Sequence, residues 1–177
     1  MGDDLVALGY LLVQPFAGFT WADGLLPDPI VSACSCLCPQ LGDPSHSIEA
    51  ARTARRDRFP AQPDVRLIGL ALAGHAFEAV SDLLAWADRR LPVEPGGELL
   101  GFEPLNIELG QLSHSWLCNR LHTHYADTLG IRPNPAGFIA TVAEAQRCCD
   151  DINTGAVGAE PGPWFPFALI SYAADAT

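Results

Sequence analysis

The hydrophobic positions of this chain fall into runs of strand length and into longer stretches with helical spacing. Five runs are mostly apolar and are separated by Pro- and Gly-rich segments, which is typical of buried strands. The predicted strands cover residues 5–13, 30–38, 65–72, 99–109 and 164–172. Within the fourth run, Pro104 has no amide hydrogen to give to a neighbouring strand, which favours an edge strand or a bulge there.

Four other stretches carry the signals of helices. The predicted helices cover residues 48–58, 76–90, 113–129 and 142–153. Ser45 or Ser47 is placed to cap the first helix, and Thr141 with Glu144 fits a capping box at the start of the last. An apolar stripe from Phe77 onward, at helical spacing, supports the second helix.

These elements follow one another without a regular strand–helix–strand rhythm, which favours an α+β class over a parallel α/β fold. We expect about four helices packed on a short-stranded sheet that is mixed or antiparallel. The Pro- and Gly-rich segment at residues 92–97 is interpreted as a loop, because neither half of the chain carries a complete set of elements. The prediction is therefore a single domain over residues 1–177.

Composition narrows the function classes. The chain has 177 residues and a net charge of −11, whereas nucleic-acid binding requires a basic surface for phosphates. No run approaches the roughly 18–20 apolar residues that span a bilayer. The acidic start at Asp3 and Asp4 lacks the positive region of a secretory signal. We therefore expect a cytoplasmic protein with reduced thiols and with neither nucleic acid nor membrane as a partner.

The densest candidate chemistry lies in residues 113–124. On the predicted helix, His114, Cys118 and His122 follow at i, i+4 and i+8 and point the same way, with His122 at the surface. Imidazole and thiolate are ligands of zinc and similar metals, but positions i and i+8 lie about 12 Å apart along a helix axis. Three interpretations stay open: a structural helix start, a catalytic pair of His114 and Cys118, or a metal site completed by a ligand from elsewhere. The sequence assigns no metal ligand set and no cofactor.

A second group of thiols lies at Cys34, Cys36 and Cys38. On a strand, the three thiols would share one face about 7 Å apart, which is too far for one ion. In a loop, a Cys-x-Cys pair can chelate a metal, and a redox role for these thiols also stays open. The alternative is a set of buried thiols that line the core, which is the usual place of free cysteine.

Trp164 and Phe165 lie in a Pro-rich aromatic segment at the start of the last predicted strand. Aromatic side chains are enriched among the residues that dominate protein interfaces. The segment is therefore a candidate binding surface. The alternative is that these rings hold the last strand on the core.

Several segments spread over most of the chain carry a resemblance. They are Gly9-Tyr10-Leu11-Leu12, Cys36-Leu37-Cys38-Pro39, Ser47-Ile48-Glu49-Ala50-Ala51-Arg52, Val65-Arg66-Leu67-Ile68-Gly69-Leu70, Gly101-Phe102-Glu103-Pro104-Leu105, His114-Ser115-Trp116-Leu117-Cys118-Asn119 and Pro163-Trp164-Phe165-Pro166. Together they resemble a family of uncharacterised bacterial proteins, which is similar to the immunity proteins of bacterial toxin systems. Arg120 and His122 depart from the Gly and acidic residue that continue the family pattern.

The resemblance implies a protein that acts by binding a protein partner, and a homodimer is compatible with it. In that interpretation Asn119, His122, Trp164 and Phe165 are the candidate binding residues. The alternative is a small enzyme of specialised metabolism that uses His114 and Cys118 within residues 113–124. The sequence lacks a complete catalytic constellation, which favours binding, whereas the density of His and Cys favours the enzyme.

Overall fold

The computed structural model describes residues 4–17 and 26–173. The strands in this part of the chain are β1 (Leu5–Val13), β2 (Arg66–Ala73), β3 (Glu98–Glu108), β4 (Gln111–Ser115) and β5 (Trp164–Tyr172). The α-helices there are α1 (Ile48–Arg58), α2 (Phe77–Ser81), α3 (Leu121–Thr128) and α4 (Val142–Asn153). The α+β class with four helices is therefore confirmed.

All five strands belong to one sheet, in the order β1–β2–β5–β3–β4. Every neighbouring pair is antiparallel, so the sheet is antiparallel and not mixed. The last strand in the sequence, β5, lies at the centre between β2 and β3. Only β4, with 5 residues, is short, whereas β3 has 11 residues.

The apolar runs become strands because both faces of the sheet's centre are covered. In β2 every residue after Arg66 is buried, so the sequence shows no alternation of polar and apolar positions. Helix α4 packs against β5 and β3, and α1 packs against β1. One hydrophobic cluster takes residues from every strand.

Pro104 lies inside the sheet and not at its edge. It faces Pro166 across the pair of β3 and β5, and its carbonyl accepts a hydrogen bond from Trp116 N at 3.1 Å on the other side. Two prolines fit opposite each other because neither has an amide hydrogen to leave unpaired. The shift in register against β5 falls instead between Leu99 and Gly101, where Gly101 has φ of +140°.

Two predicted helix starts are confirmed by their caps. The Ser47 hydroxyl accepts a hydrogen bond from Ala50 N at 3.3 Å, so Ser47 and not Ser45 is the N-cap of α1. Thr141 accepts from Glu144 N at 3.3 Å, and its hydroxyl donates to the Glu144 carboxylate at 2.8 Å. Both starts depend on neighbouring residues alone, so local sequence is sufficient to predict them.

Three predicted elements differ from the structure. The helix predicted over 76–90 ends at Ser81, because the following turns carry the chain to Leu91, which pairs with Ala7 beside β1. The helix predicted from Ser113 begins only at Leu121, because residues 111–115 pair with β3 instead. Residues 30–38 form turns with an isolated bridge at Ile30 and no regular strand.

Within the described ranges 4–17 and 26–173, no helix has the length and apolar character needed to cross a membrane.

Candidate metal centre

Two segments that are distant in the sequence meet beside β4, the strand at one edge of the sheet. The loop over residues 32–38 runs along β4, where Ser35 N donates to Leu112 O at 3.0 Å. The Cys34 thiol donates to Ser113 O at 3.1 Å. These contacts hold the first thiol group against the strand that leads to Cys118.

The turn after β4 brings Cys118 back toward that loop. The Ser115 hydroxyl accepts hydrogen bonds from Leu117 N at 3.0 Å and from Cys118 N at 3.4 Å. Serine favours such turns because its short side chain satisfies nearby amides. Arg120 then takes a left-handed conformation, with φ of 57°, before α3 begins. Cys118 therefore lies in a tight turn and not on a helix with His114.

The sulfur atoms of Cys34, Cys36 and Cys118 converge, and all three lie within 4.8 Å of one another. The Sγ atoms of Cys34 and Cys36 are 2.7 Å apart. Cys34 is buried, Cys118 is half-buried and Cys36 is exposed. We call these three residues the thiol trio. It is closed on the protein side and open to solvent on the other.

His114 lies beside the trio, with its Nδ1 4.0 Å from Cys118 Sγ. Its other ring nitrogen, Nε2, lies 3.9 Å from Glu108 Oε2. Glu160 Oε1 is 4.0 Å from Nδ1. An imidazole that binds a metal through one nitrogen commonly donates from the other to a carboxylate, which fixes the tautomer and the ring orientation. Glu108 is placed for this role, although at 3.9 Å it is too far from Nε2 for a hydrogen bond until one of the side chains turns.

The trio concentrates negative charge on Cys118. Hydrogen bonds from the Cys34 and Cys36 thiols lower the pKa of Cys118 well below its usual range, against the effect of burial. Ser115 N at 3.1 Å and Asn119 Nδ2 at 3.5 Å also point at the Cys118 sulfur. The hydrogen bond with Cys118 is the main cause that raises the pKa of Cys36 to about 12, and it raises that of Cys34 as well. The neighbouring thiols and the Ser115 amide therefore favour the thiolate form of Cys118 over that of Cys34 or Cys36.

Glu103, on β3, is buried and connects the two segments that carry the trio. Its carboxylate accepts from the Ser32 hydroxyl at 2.6 Å and from Ala33 N at 3.2 Å. It also interacts with the Ser115 side chain. Burial raises the pKa of Glu103 to about 7, although these hydrogen bonds act in the opposite direction. The only sequence signal for this role is an acidic residue within an otherwise apolar run.

The other sequence-predicted site residues divide between the site and the core. Asn119 lies at the site, where its side chain also donates to Ser115 O at 3.2 Å. His122, expected at the surface, is buried in the core with its ring 6.3 Å from that of Trp116. The surface prediction was wrong because α3 begins at Leu121, which turns His122 inward.

The aromatic segment and Cys38 lie outside the trio. Trp164 is 1% exposed and its indole nitrogen donates to Glu160 O at 3.1 Å. Phe165 is half-buried and packs against the core. Cys38 is buried and donates to Ile30 O at 3.4 Å, so only two of the three loop cysteines join Cys118.

Comparison with known proteins finds no matching family model, no matching curated protein and no matching solved structure. The resemblance to toxin-immunity proteins therefore stays a prediction.

Proposed function

We propose that this chain binds a thiophilic metal ion, of the Zn²⁺ type, through Cys34, Cys36 and Cys118, with His114 as the fourth ligand. The observation that carries the proposal is the convergence of three sulfur atoms from two separate segments within 4.8 Å. Cysteine thiolates with one histidine are a common ligand set for zinc. Thiolate ligands favour zinc over the hard cations magnesium and calcium.

The three sulfur atoms are close enough for such a centre, whereas His114 lies outside their group and has to turn toward it. Tetrahedral zinc with bonds of about 2.3 Å to sulfur holds its sulfur ligands about 3.8 Å apart. The 4.0 Å between Cys118 Sγ and His114 Nδ1 is close to that spacing. The Cys34–Cys36 pair at 2.7 Å has to open by about 1 Å. Cys36 is exposed, so its side chain has room to turn outward.

Two charge arrangements support metal binding. Metal ligands have to be deprotonated, and the lowered pKa of Cys118 supplies a thiolate before any ion arrives. Glu108 stands 3.9 Å from the ring nitrogen of His114 that would not bind the ion. Four protein ligands leave no position for a substrate, so the ion would act as a structural clamp between the loop over 32–38 and the turn after β4.

The test is Co²⁺ binding to the reduced chain, followed by absorbance, because cobalt replaces zinc and thiolate ligands give it strong charge-transfer bands. We expect a single ion per chain and displacement of cobalt by zinc. Cys118→Ser should weaken both the binding and the charge-transfer bands, because only two of the three thiolate ligands remain. Cys38→Ser is the matched control from the same loop and should bind like the native chain. Absence of the bands in the native chain, or equal binding by Cys118→Ser, would contradict the proposal.

A second candidate is an enzyme in which Cys118 is the nucleophile and His114 its base. The observation that favours it is the 4.0 Å contact between the Cys118 sulfur and His114 Nδ1, beside a thiol of lowered pKa. The two candidates differ in what zinc does. Zinc should protect Cys118 from alkylation if the residue is a ligand, whereas a nucleophile that binds no metal stays reactive. The protein-binding role expected from the sequence stays a prediction.

A further inference from the structure

We propose that Cys34 and Cys36 form a reversible disulfide, and that this bond and the metal ion exclude each other. The release of the ion rests on the proposed function, whereas the disulfide rests only on the position of the two thiols. Their sulfur atoms lie 2.7 Å apart. The site would then bind metal when reduced and lose it when oxidised.

The separation lies between the values that the two states require. A disulfide bond is about 2.05 Å long. Sulfur ligands of tetrahedral zinc are about 3.8 Å apart. From 2.7 Å, a movement of less than about 1 Å closes the bond, and one of about 1 Å opens the pair for the ion. Since only thiolates bind the metal, closing the bond removes two ligands at once.

The surroundings assign a role to each thiol. Cys36 is exposed, so a small oxidant reaches it first, whereas Cys34 is buried and reacts from the protein side. Cys118 Sγ accepts hydrogen bonds from Ser115 N at 3.1 Å and from Asn119 Nδ2 at 3.5 Å, and these keep it in the turn after β4. The chain around the pair already turns, with Leu37 N and Cys38 N both donating to Cys34 O. The bond therefore needs side-chain rotation more than movement of the backbone.

The co-reactant is a small-molecule disulfide of the glutathione type. Cys36 gives its proton to solvent, and its sulfur attacks one sulfur atom of the reagent, which forms a mixed disulfide and releases one thiolate of the reagent. Cys34 then gives up its proton in the same way and attacks the Cys36 sulfur, which forms the internal bond and releases the second thiolate. Because the pKa of each of these two thiols is raised, both steps become faster as the pH rises. The two cysteines lose two electrons and two protons, and the reagent gains them as two thiols. A dithiol reverses both steps.

The test treats the zinc-loaded chain with oxidised glutathione and follows zinc with a chromogenic chelator. Free thiols are alkylated afterwards and the chain is cleaved with chymotrypsin, because Leu37 separates Cys36 from Cys38. We expect a peptide with Cys34 and Cys36 that has lost two hydrogens, with alkylated Cys38 and Cys118 on other peptides. Zinc release should follow this peptide in proportion and reverse with a dithiol. Cys36→Ser should remove the bond, and Cys38→Ser should leave it unchanged.

The outcomes separate this inference from the proposed function. If zinc binds and both thiols stay open to alkylation after oxidation, the inference is overturned and the metal centre stands. A bond from Cys118 to either partner also overturns it. If the chain binds no zinc, the metal centre fails, and the peptide map still decides the disulfide by itself. Formation of the Cys34–Cys36 bond then supports the thiol chemistry, and its absence overturns it.

Discussion

The buried carboxyl group of Glu103 allows a specific prediction about how stability depends on pH, because its protonation is coupled to folding. Its pKa rises from 4.5 to about 7 in the folded chain. At about 1.4 kcal/mol for each pH unit, this rise corresponds to about 3 kcal/mol. The folded state therefore holds the proton of Glu103 more tightly than the unfolded state does.

The direction in which stability changes with pH follows from this difference in proton binding between the folded and unfolded states. Below pH 4.5 the carboxyl is protonated in both states and contributes nothing to the pH dependence. Between pH 4.5 and about 7 the folded state binds more protons, so the free energy of unfolding falls as the pH rises. Above about pH 7 the full destabilisation of about 3 kcal/mol is present. Glu103→Gln has no such proton to lose.

We therefore expect the free energy of unfolding of Glu103→Gln, relative to the native chain, to rise by about 3 kcal/mol between pH 4 and pH 8. The assay is urea unfolding of the reduced chain with a chelator present, because metal binding would add its own pH dependence. Glu98→Gln, an exposed residue on the same strand, is the matched control and should follow the native chain. Parallel pH curves for the native chain and Glu103→Gln would refute the reasoning.

Three further predictions concern the turn after β4, the support of His114 by Glu108 and the reactivity of Cys118. Ser115→Ala should lower the free energy of unfolding by about 1–3 kcal/mol in urea, because the amides of Leu117 and Cys118 lose their acceptor. Glu108→Gln should weaken zinc binding by about 10–100-fold in chelator competition, because His114 loses a charged partner. In the metal-free chain at pH 6, iodoacetamide should label Cys118 faster than the buried Cys148, whose pKa burial raises to about 12.

Each of these has a result that contradicts it. Unchanged unfolding of Ser115→Ala would mean that the turn does not depend on the serine hydroxyl. Equal zinc affinity of Glu108→Gln and the native chain would remove His114 from the ligand set or Glu108 from its support. Slow labelling of Cys118, at the rate of the buried cysteine, would mean that the neighbouring donors do not stabilise a thiolate.

The local signals in the sequence were sufficient for much of the fold. The cap at Ser47 and the pair of Thr141 and Glu144 each depend on residues three positions apart. Both helix starts can therefore be predicted without knowing the rest of the chain. The apolar runs at β2 and β5 became central strands, because a run without alternation is stable only when both faces are buried. Class and helix count followed from such signals.

Pairing between distant segments decided the rest. Residues 111–115 have no strong preference for helix or strand, and they form β4 because β3 offers them a partner. That pairing moved the start of α3 to Leu121 and turned His122 into the core. Helical spacing, applied to residues that are not helical, had therefore added His122 to the group of His114 and Cys118.

The thiol trio shows most clearly which features depend on local sequence and which depend on pairing between distant segments. The sequence by itself placed His114 near Cys118, although on a helix that does not form there, and indicated that Cys34 and Cys36 are able to chelate together if they lie in a loop. It contained no signal that joins the two groups, because the contact depends on the loop over 32–38 lying along β4. Glu103 completes that contact from a third element by accepting hydrogen bonds from both segments. The chemical character of each side chain follows from the local sequence. The three sulfur atoms lie within 4.8 Å of one another only because the antiparallel sheet brings their segments together.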